Sequence, residues 1–210
     1  MLPTKATIFI LGSGGFAHEL HDYMHDLWRQ ANQGRFGSSK FLGSEIFFVD
    51  GSNPDALTVE EYHKRLGQSE CYSIMGAGHC DIKMRMIEEI KGDIISFVHP
   101  RAVNLGKIEE GCILAPGAVV APRAALGKHV LCNYNSTVGH DSEIGSYSII
   151  CPNASVGGTC TLGKGVYVGS NACIRENISI GDGATIGMGA VVTRDVPAGA
   201  TIINVNERLK

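Results

Sequence analysis

Two hydrophobic rhythms divide this chain. Through residue 99, short apolar runs alternate with amphipathic stretches. "ATIFILG" (6–12) is a β-branched run ending in glycine, and "FAHELHDYMHDLWRQ" (16–30) has helical periodicity. "EIFFVDG" predicts a second strand, "TVEEYHKRL" a helix opened by Thr58, and "CYSIMGAG" a third strand. "CDIKMRMIEEIK" is another helix, and "ISFVHP" closes the series as a further strand. Strands alternating with helices predict a parallel sheet with crossover helices. Trp28 is expected to pack its helix on that sheet.

The second rhythm has a period of six. Every sixth residue from Ile108 to Val192 is aliphatic, except Cys132, and nothing interrupts the series. Glycine often follows, as at 127, 139, 145, 157, 163, 169, 181 and 187, and four residues past each aliphatic the side chain is usually small. One inward aliphatic and one inward small residue per hexad suit short strands joined by tight corners. Three hexads make a triangular coil, so residues eighteen apart stack on strands ~4.8 Å apart. The pattern predicts a left-handed parallel β-helix over residues 100–210, behind a small Rossmann-like α/β domain over 1–99. End coils need covers, which the α/β half and the tail "VPAGATIINVNERLK" are available to supply.

This register places His140 two residues past inward Val138, at an outward position on a flat face, with Gly158 eighteen residues on. A histidine can accept a proton near neutral pH, and a bare glycine amide can approach a developing oxyanion. Ser170 and Met188 form a second outward line on another face, and a trimer of prisms could bring the two lines together in a groove. Most outward histidines on such scaffolds are plain surface residues. A zinc site is disfavoured, because the repeat holds only His129 and His140, on different faces.

At the other end, "GSGGFAHE" spaces Gly12, Gly14 and Ala17 as G-x-G-x-x-A between a strand and a helix, where backbone amides can face a phosphate. Asp50 could accept a hydrogen bond from a ribose or base. So few strands suit a single nucleotide carrying something else better than a dinucleotide. His18, His21 and His25 lie at helical spacing and read as a helix face rather than a metal site.

Composition narrows the field. Of the 210 residues, 44% are hydrophobic and 19% charged, as in an ordinary globular protein. A net charge of −3 without basic runs gives no footprint for nucleic acid or an anionic membrane. The apolar N-terminal run is too short for a signal or a span, and seven cysteines without CxxC spacing suggest free thiols in the cytoplasm.

With "GSGG", "FFVDG", "IMGAG", "FVHPRA" and "LCNYNSTVGHDSEIG" followed by unbroken hexapeptides, the chain resembles the bacterial nucleotide-sugar acyltransferases typified by PglD and NeuD. The resemblance implies a homotrimer with active sites between subunits, moving an acetyl group from acetyl-CoA to the amine of a nucleotide-linked 4-amino sugar, without a metal. It makes His140 the general base, Asp141 its acidic support, Asn133 a substrate-positioning residue and Gly158 the amide facing the thioester carbonyl. It assigns Gly14, Gly15, Phe16, Asp50, Gly51 and Gly76 to the nucleotide sugar, and Ile149, Gly158, Ser170 and Met188 to acetyl-CoA. Three positions depart from the family pattern. Ile149 stands where a second histidine is usual, Phe16 replaces a histidine of the glycine loop, and the tail lacks G-x-P-A. O-acetylation of a sialic-acid-type sugar and a non-catalytic β-helical assembly module are the alternatives.

Overall fold

The computed structural model describes residues 6–32, 45–66, 70–90 and 93–203. The chain forms two compact units, 1–95 and 96–210.

In the first unit, β1 (Thr7–Leu11) is the centre of a parallel three-stranded sheet in the order β2–β1–β3, with β2 at Glu45–Val49 and β3 at Cys71–Met75. Three helices supply the crossovers and flank: α1 (Gly15–Asn32), α2 (Val59–Arg65) and α3 (Cys80–Glu89). Thr58 opens α2 with a capping box: its hydroxyl accepts the Glu61 N–H, and the Glu61 carboxylate accepts the Thr58 N–H at 2.8 Å. Phe9, Leu11, Val49, Tyr62 and Met75 form a core in which Tyr62 meets Phe9 edge-on at 4.9 Å. The Tyr62 hydroxyl pairs with Ser73 at 2.9 Å within that core. The side chain of Trp28 lies outside the described residues.

"ISFVHP" does not close the α/β sheet. Ile94, just before it, bridges Ser73 and the Ile95 N–H donates to Ser73 O at 2.9 Å, whereas Phe97–Val98 pairs with Ile113–Leu114 and is the first strand of the second unit. This short strand lies outside the strict hexad count, yet its backbone finds a parallel partner in the next coil of the solenoid.

That unit is a left-handed parallel β-helix with sheets of seven, six and five strands along its three faces. Strands eighteen residues apart pair in register, as in Thr137↔Ser155 and Leu131↔Ile149. From Lys107–Ile108 to Val191–Val192 the second residue of each two-residue strand points inward, so Leu114, Val138, Ile150, Leu162 and Ile186 stack in one apolar core. Three inward serines are also fully buried but satisfied. Ser142, for example, donates to Gly157 O at 2.9 Å and accepts the Cys160 N–H at 3.0 Å. Where glycine follows an inward aliphatic, it is there for space. A Cβ on Gly145 would lie 2.4 Å from the Gly163 carbonyl carbon of the next coil.

Each corner is a two-residue turn whose second residue has positive φ, from Gly111 at 70° to Gly189 at 64°. Asparagine and glycine hold most of these sites, but Arg123, His129, Asp141, Tyr147 and Thr159 also adopt the conformation. The tail continues the solenoid: Val196 bridges Ile180, Thr201–Ile202 forms the last strand of the seven-stranded sheet, and Ala200 and Ile202 pack against the apolar core. Residues 204–210 of that tail lie outside the described residues.

Candidate active site

His140 and Asp141 make up a corner turn, not part of a flat face. The strand before them is only Thr137–Val138, so a position two residues past the inward valine has already left the sheet. Asp141 takes φ 59° there, and its Oδ2 lies 2.7 Å from His140 Nδ1. With Nδ1–H donating to the carboxylate, Nε2 carries the lone pair and is free to accept a proton. Arg123, eighteen residues earlier, grips the same carboxylate from the preceding coil through Nε (2.6 Å) and Nη2 (2.8 Å). These contacts, Arg123 first and His140 second, hold the Asp141 carboxyl down to about 2.

The stacking partner of His140 is Gly158, again in a turn. A Cβ on residue 158 would fall 2.7 Å from His140 Nε2 and 2.8 Å from Cε1, so only glycine leaves room for the ring. The Gly158 carbonyl accepts from Asn177 N–H at 3.0 Å, and its own N–H has no hydrogen-bond acceptor among the described residues. A ring nitrogen with a lone pair and an open amide therefore share one corner. Together they can take a proton and face a developing negative charge.

The remaining solenoid residues singled out in the sequence lie elsewhere. Ser170 and Met188 are in turns of a different corner, so they too are off the flat faces; Met188 is 73% exposed. Asn133 immediately precedes a turn of that same corner, at Tyr134–Asn135. Its side-chain oxygen accepts the Tyr134 N–H at 2.7 Å. Ile149 is on the seven-stranded sheet and 1% exposed. Buried Cys112 and Cys160 donate their thiols to Gly127 O and Arg175 O. His129 stacks on Tyr147 at another corner, 5.2 Å between centroids.

In the first unit, the glycine loop borders a cavity of about 660 Å³. Gly12 makes the turn at φ 110°, Gly14 and Gly15 stand in open space at the start of α1, and Phe16 joins the lining. Gly76 is a packing glycine as well as a lining residue: a Cβ there would lie 2.6 Å from Ile10 Cγ2 and 2.9 Å from Ala17 Cβ. Asp50 ties the loop down. Its Oδ2 accepts the Ser13 N–H and hydroxyl (3.1 and 2.7 Å), and its Oδ1 accepts those of Ser52 (2.9 and 2.6 Å). Burial would raise its pKa, but hydrogen bonds from Ser52 and Ser13 overturn that and hold it below the usual range. All four lone-pair directions of the carboxylate are thereby used within the protein. His79, Ile82, Arg85 and Met86 also line the cavity. Sequence reasoning passed over them, and their clue is helical spacing behind "GAG". On α1 the histidines form a ring cluster, with His18 4.7 Å from Phe48 and His21 4.4 Å from His25. Among the described residues, no three His, Cys, Asp or Glu side chains gather as metal ligands, and no helix is long and apolar enough to cross a membrane.

The bacterial transferase hexapeptide family (six repeats) matches residues 159–194. No curated protein sequence matches the chain. Solved structures share the fold along almost its whole length. The acetyltransferase domain of PglB from Neisseria gonorrhoeae, also solved with acetyl coenzyme A, superposes with a TM-score of 0.78 at 24% identity, covering 94% of this chain and 96% of that one. WeeI from Acinetobacter baumannii gives 0.78 at 23%, covering 96% and 98%. PerB from Caulobacter crescentus, in complex with CoA and GDP-perosamine, gives 0.74 at 18%, covering 95% of each chain.

Proposed function

We propose that this protein is an acetyl-CoA-dependent N-acetyltransferase acting on the amino group of a nucleotide-linked 4-amino sugar. One observation carries the reading: the His140 ring, oriented by Asp141, lies with Nε2 directly over the bare backbone of Gly158. The sugar amine attacks the thioester carbonyl carbon while His140 Nε2 takes the amine proton. The Gly158 N–H faces the oxyanion of the tetrahedral intermediate. Collapse breaks the C–S bond, and the imidazolium returns its proton to the departing CoA thiolate. No covalent enzyme intermediate is needed, and holding amine and thioester together supplies much of the rate.

The glycine-loop cavity takes the nucleotide, with Gly14, Gly15, Phe16, Gly51 and Gly76 along its wall and Asp50 as the tie that shapes it. Asn133 positions the acceptor, and Ile149, Ser170 and Met188 belong to the acetyl-CoA side. The PglB structure with acetyl coenzyme A and the PerB structure with CoA and GDP-perosamine agree with this pairing of substrates.

The working form is a homotrimer. In support, the six-stranded sheet is the face that joins the His140 corner to the Ser170 corner, and its outward positions, Val103, Val119, Thr137, Ser155, Cys173 and Val191, carry no charge, whereas the five-stranded sheet carries Lys107 and Glu143 outward. With the uncharged face turned to a three-fold axis, its two bounding corners meet opposite neighbours. The His140 corner of one subunit then faces the Ser170 corner of the next.

The test is thiol release from acetyl-CoA against a panel of nucleotide-linked 4-amino sugars. Turnover with one of them, and a fall of about 10²–10⁴-fold in His140→Ala with the fold retained, is the expected result. Release with hydroxyl acceptors alone would favour O-acetylation, and no acetyl-CoA binding at all would leave an assembly module.

A further inference from the structure

The Asp141 carboxylate serves two partners. Its Oδ2 is 2.7 Å from His140 Nδ1 and also 2.8 Å from Arg123 Nη2, while Oδ1 is 2.6 Å from Arg123 Nε. Arg123 and Asp141 occupy the same turn position in successive coils, with φ 61° and 59°, so the solenoid repeat itself aims one side chain at the other. The two-pronged contact fixes the carboxylate plane, which a single hydrogen bond to the ring does not. A guanidinium also stays charged throughout the working pH range, so part of the carboxylate charge is answered whatever the ring's state.

We infer that Arg123 is a positioning residue for the His140–Asp141 pair: it orients the carboxylate that holds the imidazole and shares its charge, so the ring meets an aligned but partly neutralised anion. This rests on the reading of His140 as the base. An unshared carboxylate would favour the imidazolium, which cannot accept a proton. The other charged groups about this corner are Glu143 on the following strand, and Arg175 and Glu176 two coils beyond. At ~4.8 Å per coil, Glu176 is roughly a Debye length from His140 at physiological salt, so Arg123 and Asp141 set the local field.

Arg123→Gln and Arg123→Lys test this, because both keep a long side chain in the same backbone conformation. The readouts are an NMR titration of the His140 ring, assigned with His140→Gln, and the pH profile of kcat/KM for thiol release. Arg123→Gln is expected to move the ring midpoint, and the acid limb with it, upward, the exposure of the pair (69% and 36% for Arg123 and Asp141) keeping the shift small. Arg123→Lys restores the charge but not the fork, so its midpoint returns toward wild type while kcat stays below it. A midpoint in Arg123→Gln that is unchanged or lowered overturns the inference. Wild-type turnover in His140→Ala defeats the base reading instead, and the ring titration still judges Arg123.

Discussion

The corner at His140 concentrates demands on single residues. Gly158 is needed for space, since a methyl there would strike the imidazole rather than backbone. Gly158→Ala should therefore leave thermal stability within about 1 kcal/mol, because an exposed ring can swing away, yet lower kcat by about 10–100-fold through a misplaced base. Unchanged kcat would remove Gly158 from the site. Thr159, the next residue, is β-branched at φ 59°, a conformation that disfavours branching. Asparagine occupies the equivalent turn position at 135, 153, 171 and 177. Thr159→Asn is expected to stabilise the protein by about 1 kcal/mol, read from the denaturation midpoint, and a loss of stability would show that the threonine has a compensating contact. Asp141 also sets a pH boundary. Its carboxyl is depressed to about 2, so its support of folding is complete above its ordinary value of 3.8 and is lost as pH falls through about 2. No acid limb of activity above pH 4 should thus come from this carboxylate.

Individual hexads show how glycine enters for two different reasons. At Gly145 an added Cβ would sit 2.4 Å from the backbone of the next coil, which cannot yield without parting the strands. At Gly183 nothing lies within 4 Å, and the requirement is only the positive φ of 65°. Gly145→Ala is expected to cost about 3 kcal/mol or more, whereas Gly183→Ala costs about 1 kcal/mol. Thermal denaturation of both variants separates the effects, and equal losses would mean that close coil packing is not what places glycine after the inward aliphatic. The same scale explains why "ISFVHP" reads as a closing strand of the α/β half. Its apolar content is right for a strand in either sheet, and only pairing with Ile113–Leu114 tells them apart.

For the molecule as a whole, the uncharged outward face of the six-stranded sheet is where the proposed trimer can be broken. Val191, 69% exposed, lies at the end of that face. Val191→Asp would gather like charges near the three-fold axis, so sedimentation should show smaller species, with thiol release falling in step with the trimer fraction. A variant that remains fully trimeric would place the interface on another face.

Much of this was legible in advance for a physical reason. A hexapeptide period repeats one local environment at each rung, so the inward series from Leu114 to Val192, the stacking by eighteen and the His140–Gly158 juxtaposition all follow from counting residues. The strand–glycine–helix grammar likewise announced the loop at residues 12–16, because a tight turn and a close helix leave few choices of side chain. What counting could not supply was direction within the hexad. Whether position 140 lies on a face or in a corner depends on where two-residue strands give way to turns with positive φ, and only the folded backbone decided that. The partners of the two carboxylates were equally out of reach. Asp50 spends its oxygens on Ser13 and Ser52, and Asp141 divides its own between His140 and Arg123, since charged side chains choose among neighbours that exist only after the coils have stacked.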